Sequence, residues 1–508
     1  MRGKLHSGLG LLLLLLVCHA VAVHGASSIL LKGGTIATFN PDSSSVTVQR
    51  DTSILIKNDR IISIETDLDD TSDPDIEVVD VTGKILTPGF IDTHHHLWQT
   101  AYRTTLSNTT LMHYMIRNSE YSPITHEFSA EDVYVGQRMG VLESLNAGVT
   151  TILDHAHHTW SEETAGAGLR ASVDSGARVF WAYAIRDVGE RFPVKDQIED
   201  FARLARDGDG VWTGSPVTVG LAYDGFWNAS QSQAEDILGL ARDVNASVLT
   251  CHYVGGAYGN VNKNSVDLLN QFSALTSSIP IVFSHGTSLN AHEVTLLRKH
   301  NHFISIVPES DHHYAIGMPS QHTILDQSAM GIDTHSTFSG DMISQARFWL
   351  QTVRLRFENP ILETFNVPSN NPMSVNQAFA LITRNGGMAL RREDIGVIAP
   401  GAKADIVVFR GDSPNMLGWT DPVAAVILHS NVGDVEHVLV DGKFVKRDGE
   451  MVGVDGEDVK GRFLASARRI QGVLAATPEV VLEGEFEGGT EYVVPVRADT
   501  LRGPGNGY

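Results

Sequence analysis

The chain predicts a (β/α)8 barrel, an α/β fold of the TIM type, flanked by a small β-sandwich built from its N- and C-terminal segments. Three observations carry this. Eight apolar, β-rich runs alternate with helical stretches through the middle of the chain, the order of a barrel of parallel strands. Blocks of short strands broken by turn residues lie on either side of that series. Several of the eight runs end in histidine or aspartate, at the strand ends where barrels of this type place their chemistry.

Taken in order, the chain opens with Arg2 and Lys4, then an apolar run from Leu9 to Val17 with six consecutive leucines, then small residues at Gly25 and Ala26. This order predicts a secretory signal peptide over residues 1–25, because the run is shorter than the ~20 residues a membrane-spanning helix needs. Cleavage removes Cys18 and leaves Cys251 as the only cysteine, so no internal disulfide is expected. A secreted or vacuolar-lumen protein follows, with Asn108, Asn228 and Asn245 as glycosylation sequons. Residues 26–86 read as strands and hairpins, and 387–455 as a second such block with an Asp-Gly turn at Asp441. Neither block has the strands for a core alone, so the two are expected to share one sandwich.

The barrel is expected over 87–386, with runs at Lys84–His94, Val149–Asp154, Arg178–Arg186, Val217–Tyr223, Ser247–His252, Pro280–His285, Phe303–Val307 and Ala329–Asp333. Helical patterning is clearest at Ala130–Ala147 and Ser232–Val244. A C-terminal helix and tail complete the chain over 456–508, the tail acidic and Gly-rich from Glu479. Across all 508 residues, 38 Lys and Arg face 60 Asp and Glu, a formal charge of −22. That charge argues against nucleic acid or an anionic membrane as partner and leaves a small-molecule substrate, with self-association open.

The chemistry concentrates at strand ends. In Pro88-Gly-Phe-Ile-Asp-Thr-His-His-His, strand alternation sends His94 and His96 to one side and His95 to the other. Two imidazoles projecting together can grip a divalent ion. His252, His285 and Asp333 end the fifth, sixth and eighth runs and converge on the same rim.

These segments, with Gly148-Val-Thr-Thr-Ile-Leu-Asp-His, Ser339-Gly-Asp-Met and Pro400-Gly-Ala-Lys-Ala-Asp-Ile-Val-Val, resemble the amidohydrolase superfamily. The nearer resemblance is to its triazine-hydrolase and cytosine-deaminase-like branch, and it runs from about Ile29 to Val445. It implies one divalent metal, zinc or iron, held by His94, His96, His252 and Asp333. It also implies that Asp333 takes a proton from the attacking water while His285 orients or protonates the substrate. The chain departs from that branch at Gly255, where relatives carry a proton-shuttling Glu three residues after the fifth-strand histidine. No lysine ends the fourth run, which argues for a single metal.

Expected substrate contacts are Gln99, Tyr223, Glu309 and His335, each with a structural loop role as the alternative. Asp154, His155, Asp224 and Trp98 are weighed the same way, while His157, His158, His312 and His313 are not expected to be ligands. Cys251 alternates away from His252 and should pack as a small apolar group. The expected activity is hydrolysis of a non-peptide carbon–nitrogen bond (amidine, cyclic amide or ring amino group) in a small organic molecule. Hydrolysis of a C–halogen, ester or C–C bond, a metal-assisted lyase or isomerase, and a non-catalytic binding barrel remain as alternatives.

Overall fold

The computed structural model describes residues 28–40, 45–68, 74–207, 210–255, 258, 263–316, 320–453, 456–478, 480–482, 485–486 and 490–491. The expected leader and nearly all of the expected tail lie outside the described residues.

The N-terminal block forms β1 (Ser28–Phe39), β2 (Val46–Lys57), β3 (Arg60–Glu65), β4 (Glu77–Asp80) and β5 (Ile85–Pro88). The barrel follows as β6 (Phe90–His95), β7 (Val149–Ala156), β8 (Arg178–Ala184), β9 (Thr218–Ala222), β10 (Leu249–Tyr253), β11 (Ile281–His285), β12 (Phe303–Ile306) and β13 (Ser328–Met330), paired in chain order and all parallel. The chain then returns as β14 (Ile406–Phe409), β15 (Val435–Val440), β16 (Lys443–Arg447) and β17 (Glu450–Met451). β14 pairs antiparallel with β5, joining the two terminal blocks into one nine-stranded sheet. That sheet encloses its own apolar core of Leu31, Ile36, Ile54, Ile61, Ile406 and Val408.

One expectation needs correcting. The stretch 84–94 is two strands, not one: β5 belongs to the flanking sheet and only β6 to the barrel. Gly89 makes the break, since a Cβ there would lie 2.0 Å from Thr150 Oγ1, and its N–H donates to the Asp405 carbonyl at 2.8 Å.

Helices fill the connections: α1 (Leu111–Arg117), α2 (Ala130–Asn146), α3 (Glu162–Ser175), α4 (Val194–Ala205), α5 (Gln231–Asp243), α6 (Val266–Gln271), α7 (Ala291–His300), α8 (Pro308–His313) and α9 (Met342–Glu363). Their starts are written in the sequence. Ser129, Ser161, Ser230 and Asn290 cap α2, α3, α5 and α7, each also donating its backbone N–H to the side chain of the third helical residue. Among the described residues no helix is long and apolar enough to cross a membrane.

The barrel closes through backbone at the site itself. Beyond β13, the N–H of Asp333 donates to the His94 carbonyl at 2.9 Å, and the N–H of His96 donates to the Asp333 carbonyl at 2.7 Å. The first and last strands are thus tied together at the residues whose side chains matter most.

Candidate metal centre

On the C-terminal rim the donor atoms of His94, His96 and Asp333 lie within 4.8 Å of one another, and those of His94, His252 and His285 form a second such trio beside them. His94 Nε2 lies 3.4 Å from Asp333 Oδ1 and His96 Nε2 lies 3.3 Å from the same oxygen. His252 Nε2 stands 3.3 Å from His96 Nε2. Tetrahedral coordination with bonds of about 2.0–2.2 Å sets neighbouring donor atoms about 3.3–3.6 Å apart. The spacing therefore fits a small divalent cation.

The outer contacts aim the same atoms inward. His96 Nδ1 donates to the His155 carbonyl at 2.9 Å, and His252 Nδ1 donates to Asp224 Oδ2 at 2.8 Å. His94 Nδ1 pairs with Ser284 Oγ at 2.8 Å. With Nδ1 carrying the proton, each Nε2 presents a lone pair to the centre. Burial pushes the His94 imidazole well below its ordinary pKa, which keeps it neutral and ready to ligate. Lone pairs and a carboxylate oxygen facing one another in a buried site repel unless a cation lies between them, so this donor set fits a metal. Asp333 Oδ2 accepts from Ser310 Oγ, leaving Oδ1 for the centre.

His285 stands beside this cluster, its ring centroid 5.3 Å from that of His94 and 5.6 Å from that of His252. Its Nδ1 lies 2.9 Å from Asp311 Oδ1, and Gln321 holds the other Asp311 oxygen at 3.1 Å. Burial opposes charge on His285, but the Asp311 carboxylate outweighs it and raises the pKa. Both His285 and Asp333 have left-handed backbone, with φ of 71° and 76°. Strain of this kind at two strand ends swings their side chains across the rim and persists only where the surroundings enforce it.

Above the centre lies a cavity with His96, His252, His285 and Asp333 at its floor. Leu111, Met112, Met115, Val254 and Ile316 supply apolar walls, and Gln99, Tyr114, Glu120, His157, Tyr258, Tyr314 and Thr334 supply polar groups.

Of the expected substrate contacts, Gln99 lines this cavity; it donates to Tyr114 OH at 2.7 Å and accepts from Thr334 at 2.9 Å. The other three do not line it. His335 lies away from the cavity with its ring 4.2 Å from that of His95. Tyr223 packs its ring on Phe226, 4.8 Å away. Glu309 occupies the first turn of α8 and accepts from Gln345 of α9, while its neighbours Ser310 and Asp311 face inward. Trp98 packs with Tyr102, Phe128 and Trp160. Cys251 is fully buried in the core.

Sequence reasoning missed Glu120 and did not expect His157 at the cavity. Trp98 Nε1 donates to His157 Nδ1 at 2.8 Å, which places the ring's proton on Nε2, 3.9 Å from Glu120 Oε2. The distance to Gly255 is equally informative. A Cβ there would lie 1.6 Å from Ser288 Oγ and 2.2 Å from Ser288 Cβ, so Ser288 fills the space an acid would need.

A (β/α)8 barrel with three imidazoles and a carboxylate gathered at the mouth of an apolar cavity defines a metal-dependent hydrolase. The chain belongs to the amidohydrolase family, which matches residues 85–445. It is 28% identical over 418 residues to the 5'-deoxyadenosine deaminase of Methanobrevibacter smithii, covering 80% of this chain and 91% of that protein. It is 24% identical over 450 residues to the 5-methylthioadenosine/S-adenosylhomocysteine deaminase of Pyrococcus horikoshii, covering 86% of this chain and 99% of that one. An adenosine deaminase from Xanthomonas campestris with bound zinc shares the fold at a TM-score of 0.74, 18% identity and coverage of 88% and 99%. Atrazine chlorohydrolase from Arthrobacter aurescens, in complex with zinc and atraton, does so at 0.72, 21% identity and coverage of 86% and 100%.

Proposed function

We propose that this enzyme replaces an amino group on a purine nucleoside-like heterocycle with hydroxyl, releasing ammonia, with one zinc ion held by His94, His96, His252 and Asp333. The observation that carries this reading is the close spacing of the His94, His96 and Asp333 donor atoms, with His252 3.3 Å from His96, on the floor of a cavity with apolar walls. The deaminases among the relatives support an adenosine-like ring, and Leu111, Met112 and Met115 suit an apolar substituent on it.

A divalent cation held there lowers the pKa of water at the site to about 7 and polarises the reacting carbon. The protein's own groups do the rest. Asp333, fixed by Ser310, accepts the proton that the attacking water gives up as its oxygen bonds to carbon. His285, steadied by Asp311, protonates the ring or the departing nitrogen, so one proton leaves water and one arrives on ammonia. Asp333 and His285 carry this transfer between them, because Gly255 offers no acid. Iron could occupy the same donor set, and metal analysis of the active protein distinguishes the two.

A second reading rests on Gly255. A halide leaves without a proton, so a site lacking the usual shuttle suits hydrolysis of a C–halogen bond as well. One panel separates the two: adenosine, 5'-deoxyadenosine, 5'-methylthioadenosine and a chlorotriazine, assayed for ammonia and chloride with zinc-loaded protein. Ammonia from the purines supports deamination; chloride alone supports the second reading; neither product sinks both.

Glu120 serves in this reading as the acceptor for a substrate hydroxyl or N–H. Glu120→Gln is expected to raise KM about tenfold, the worth of one charged hydrogen bond, with kcat changed by less than about threefold. Steady-state kinetics on the best substrate of the panel checks it.

We also propose that the protein is secreted after loss of residues 1–25. Asn108, Asn228 and Asn245 are all exposed, as glycan acceptors must be. Protein recovered from the medium of a eukaryotic host is expected to gain mobility on deglycosylation, and replacing all three with Gln should abolish that shift.

A further inference from the structure

The helix that walls the cavity has little to hold it in place. α1 supplies Leu111, Met112, Tyr114 and Met115 to the cavity, yet none of its seven residues is buried. Seven residues are also too few to keep a helix by propensity alone. His113 and Arg117 of the same helix line a second groove, with Leu106, Asn118, Gln471 and Leu474, so α1 stands between two open spaces and has room to move. The far wall of that groove is the C-terminal helix (Gly456–Ala476), which is firmly fixed. Its Phe463, Ala467, Ile470 and Leu474, recurring every third or fourth residue, pack into one apolar cluster with Trp98 and Trp160. Ser466 and Arg469 each bond Asp132 of α2 at 2.6 Å, and Gln471 donates to the Ala101 carbonyl at 3.0 Å.

The last turn of a helix leaves carbonyls unpaired and carries partial negative charge. Arg117, the last residue of α1, reaches that end of the C-terminal helix: its Nη2 donates to the Leu474 carbonyl at 2.8 Å and to that of Thr477 at 3.4 Å. One side chain thus ties the loose helix to the fixed one. We propose that Arg117 is a positioning residue, a clamp that sets how closely Leu111, Met112 and Met115 approach the substituent of a bound substrate. Arg117 itself stands outside the cavity, so the clamp governs affinity for substrates with an apolar substituent and leaves the reaction at the metal centre alone. Its part in substrate choice rests on the deamination reading above; the clamping of α1 does not.

Zinc-loaded Arg117→Met, which keeps much of the stem and removes the charge, tests both. Amide hydrogen exchange across residues 111–118 is expected to quicken about tenfold or more, the worth of one charged hydrogen bond, while exchange in β6, β7 and β8 stays as in the wild type. A helix this marginal is then open much of the time, so KM for 5'-methylthioadenosine should rise about fivefold with kcat within about twofold, and adenosine should show neither change. Arg117→Lys, which keeps a cation at the helix end, is expected to fall between the two proteins in both measurements. Unchanged exchange at 111–118 overturns the clamp whatever the panel turns over, and so does a rise throughout the barrel, the mark of a merely structural role. Faster exchange with equal KM shifts for both nucleosides, or with a fall in kcat, overturns its part in substrate choice. A wild type that turns over neither nucleoside faults the proposed reaction instead, and the exchange result then decides the clamp by itself.

Discussion

Asp333→Asn is expected to cut turnover by about ten-thousandfold or more while the protein remains folded. The substitution is chosen for what it preserves. Asparagine has almost the same shape and is one of the few residues that adopts left-handed backbone readily, so the φ of 76° at this position costs it little. The backbone bonds that close the barrel, from Asp333 to His94 and from His96 to Asp333, do not involve the side chain and persist. Ser310 can also turn its hydroxyl to bond an amide. What is lost is the negative charge facing His94 and His96 and the oxygen that can accept water's proton. Turnover on the best panel substrate, metal content by mass spectrometry and a thermal melt together check this. A melt within a few degrees of the wild type alongside near-normal rates would show that Asp333 does neither job.

The contrast between Asp333 and its outer contacts shows what a linear reading can reach. The four convergent side chains were legible because each ends an apolar run, and strand alternation tells which of two neighbouring histidines faces inward. His335, singled out only because it follows Asp333 by two residues and given a loop role as the alternative, packs on His95 instead. Ser310, Asp311 and Glu120 left no periodic signal: they sit on a one-turn helix and a loop whose direction is set by packing against α9 and Trp160. Gly255 was legible as a missing acid, but only the fold shows Ser288 occupying the space. In Pro400-Gly-Ala-Lys-Ala-Asp, the aspartate is a structural residue, with its partner more than two hundred positions upstream.

That partner is Arg178, and Arg178→Met is expected to destabilise the protein by about 3–5 kcal/mol. Arg178 opens β8 at the end of the barrel opposite the metal centre, where barrel residues serve stability. Its guanidinium grips Asp405 with two bonds, Nε to Oδ2 at 3.0 Å and Nη2 to Oδ1 at 3.1 Å, and also reaches Asp441. Asp405 precedes β14 of the flanking sheet, so the pair welds the sheet to the barrel, and both side chains are almost wholly buried, at 4% and 2% exposure. Burial alone would lower the Arg178 pKa, yet Asp405 raises it, which is the signature of a cation held by its counter-charge. Methionine fills much of the volume but strands the carboxylate of Asp405 in a dry site, and that stranded charge accounts for most of the loss. The magnitude has an internal control. Pairing Arg178→Met with Asp405→Leu removes both charges and should recover at least half of the stability in urea melts, since the Asp441 carboxylate retains Lys403 at 3.0 Å. Should the double variant be no more stable than the single one, the packing of the arginine stem, rather than the buried charge, would be what holds sheet to barrel.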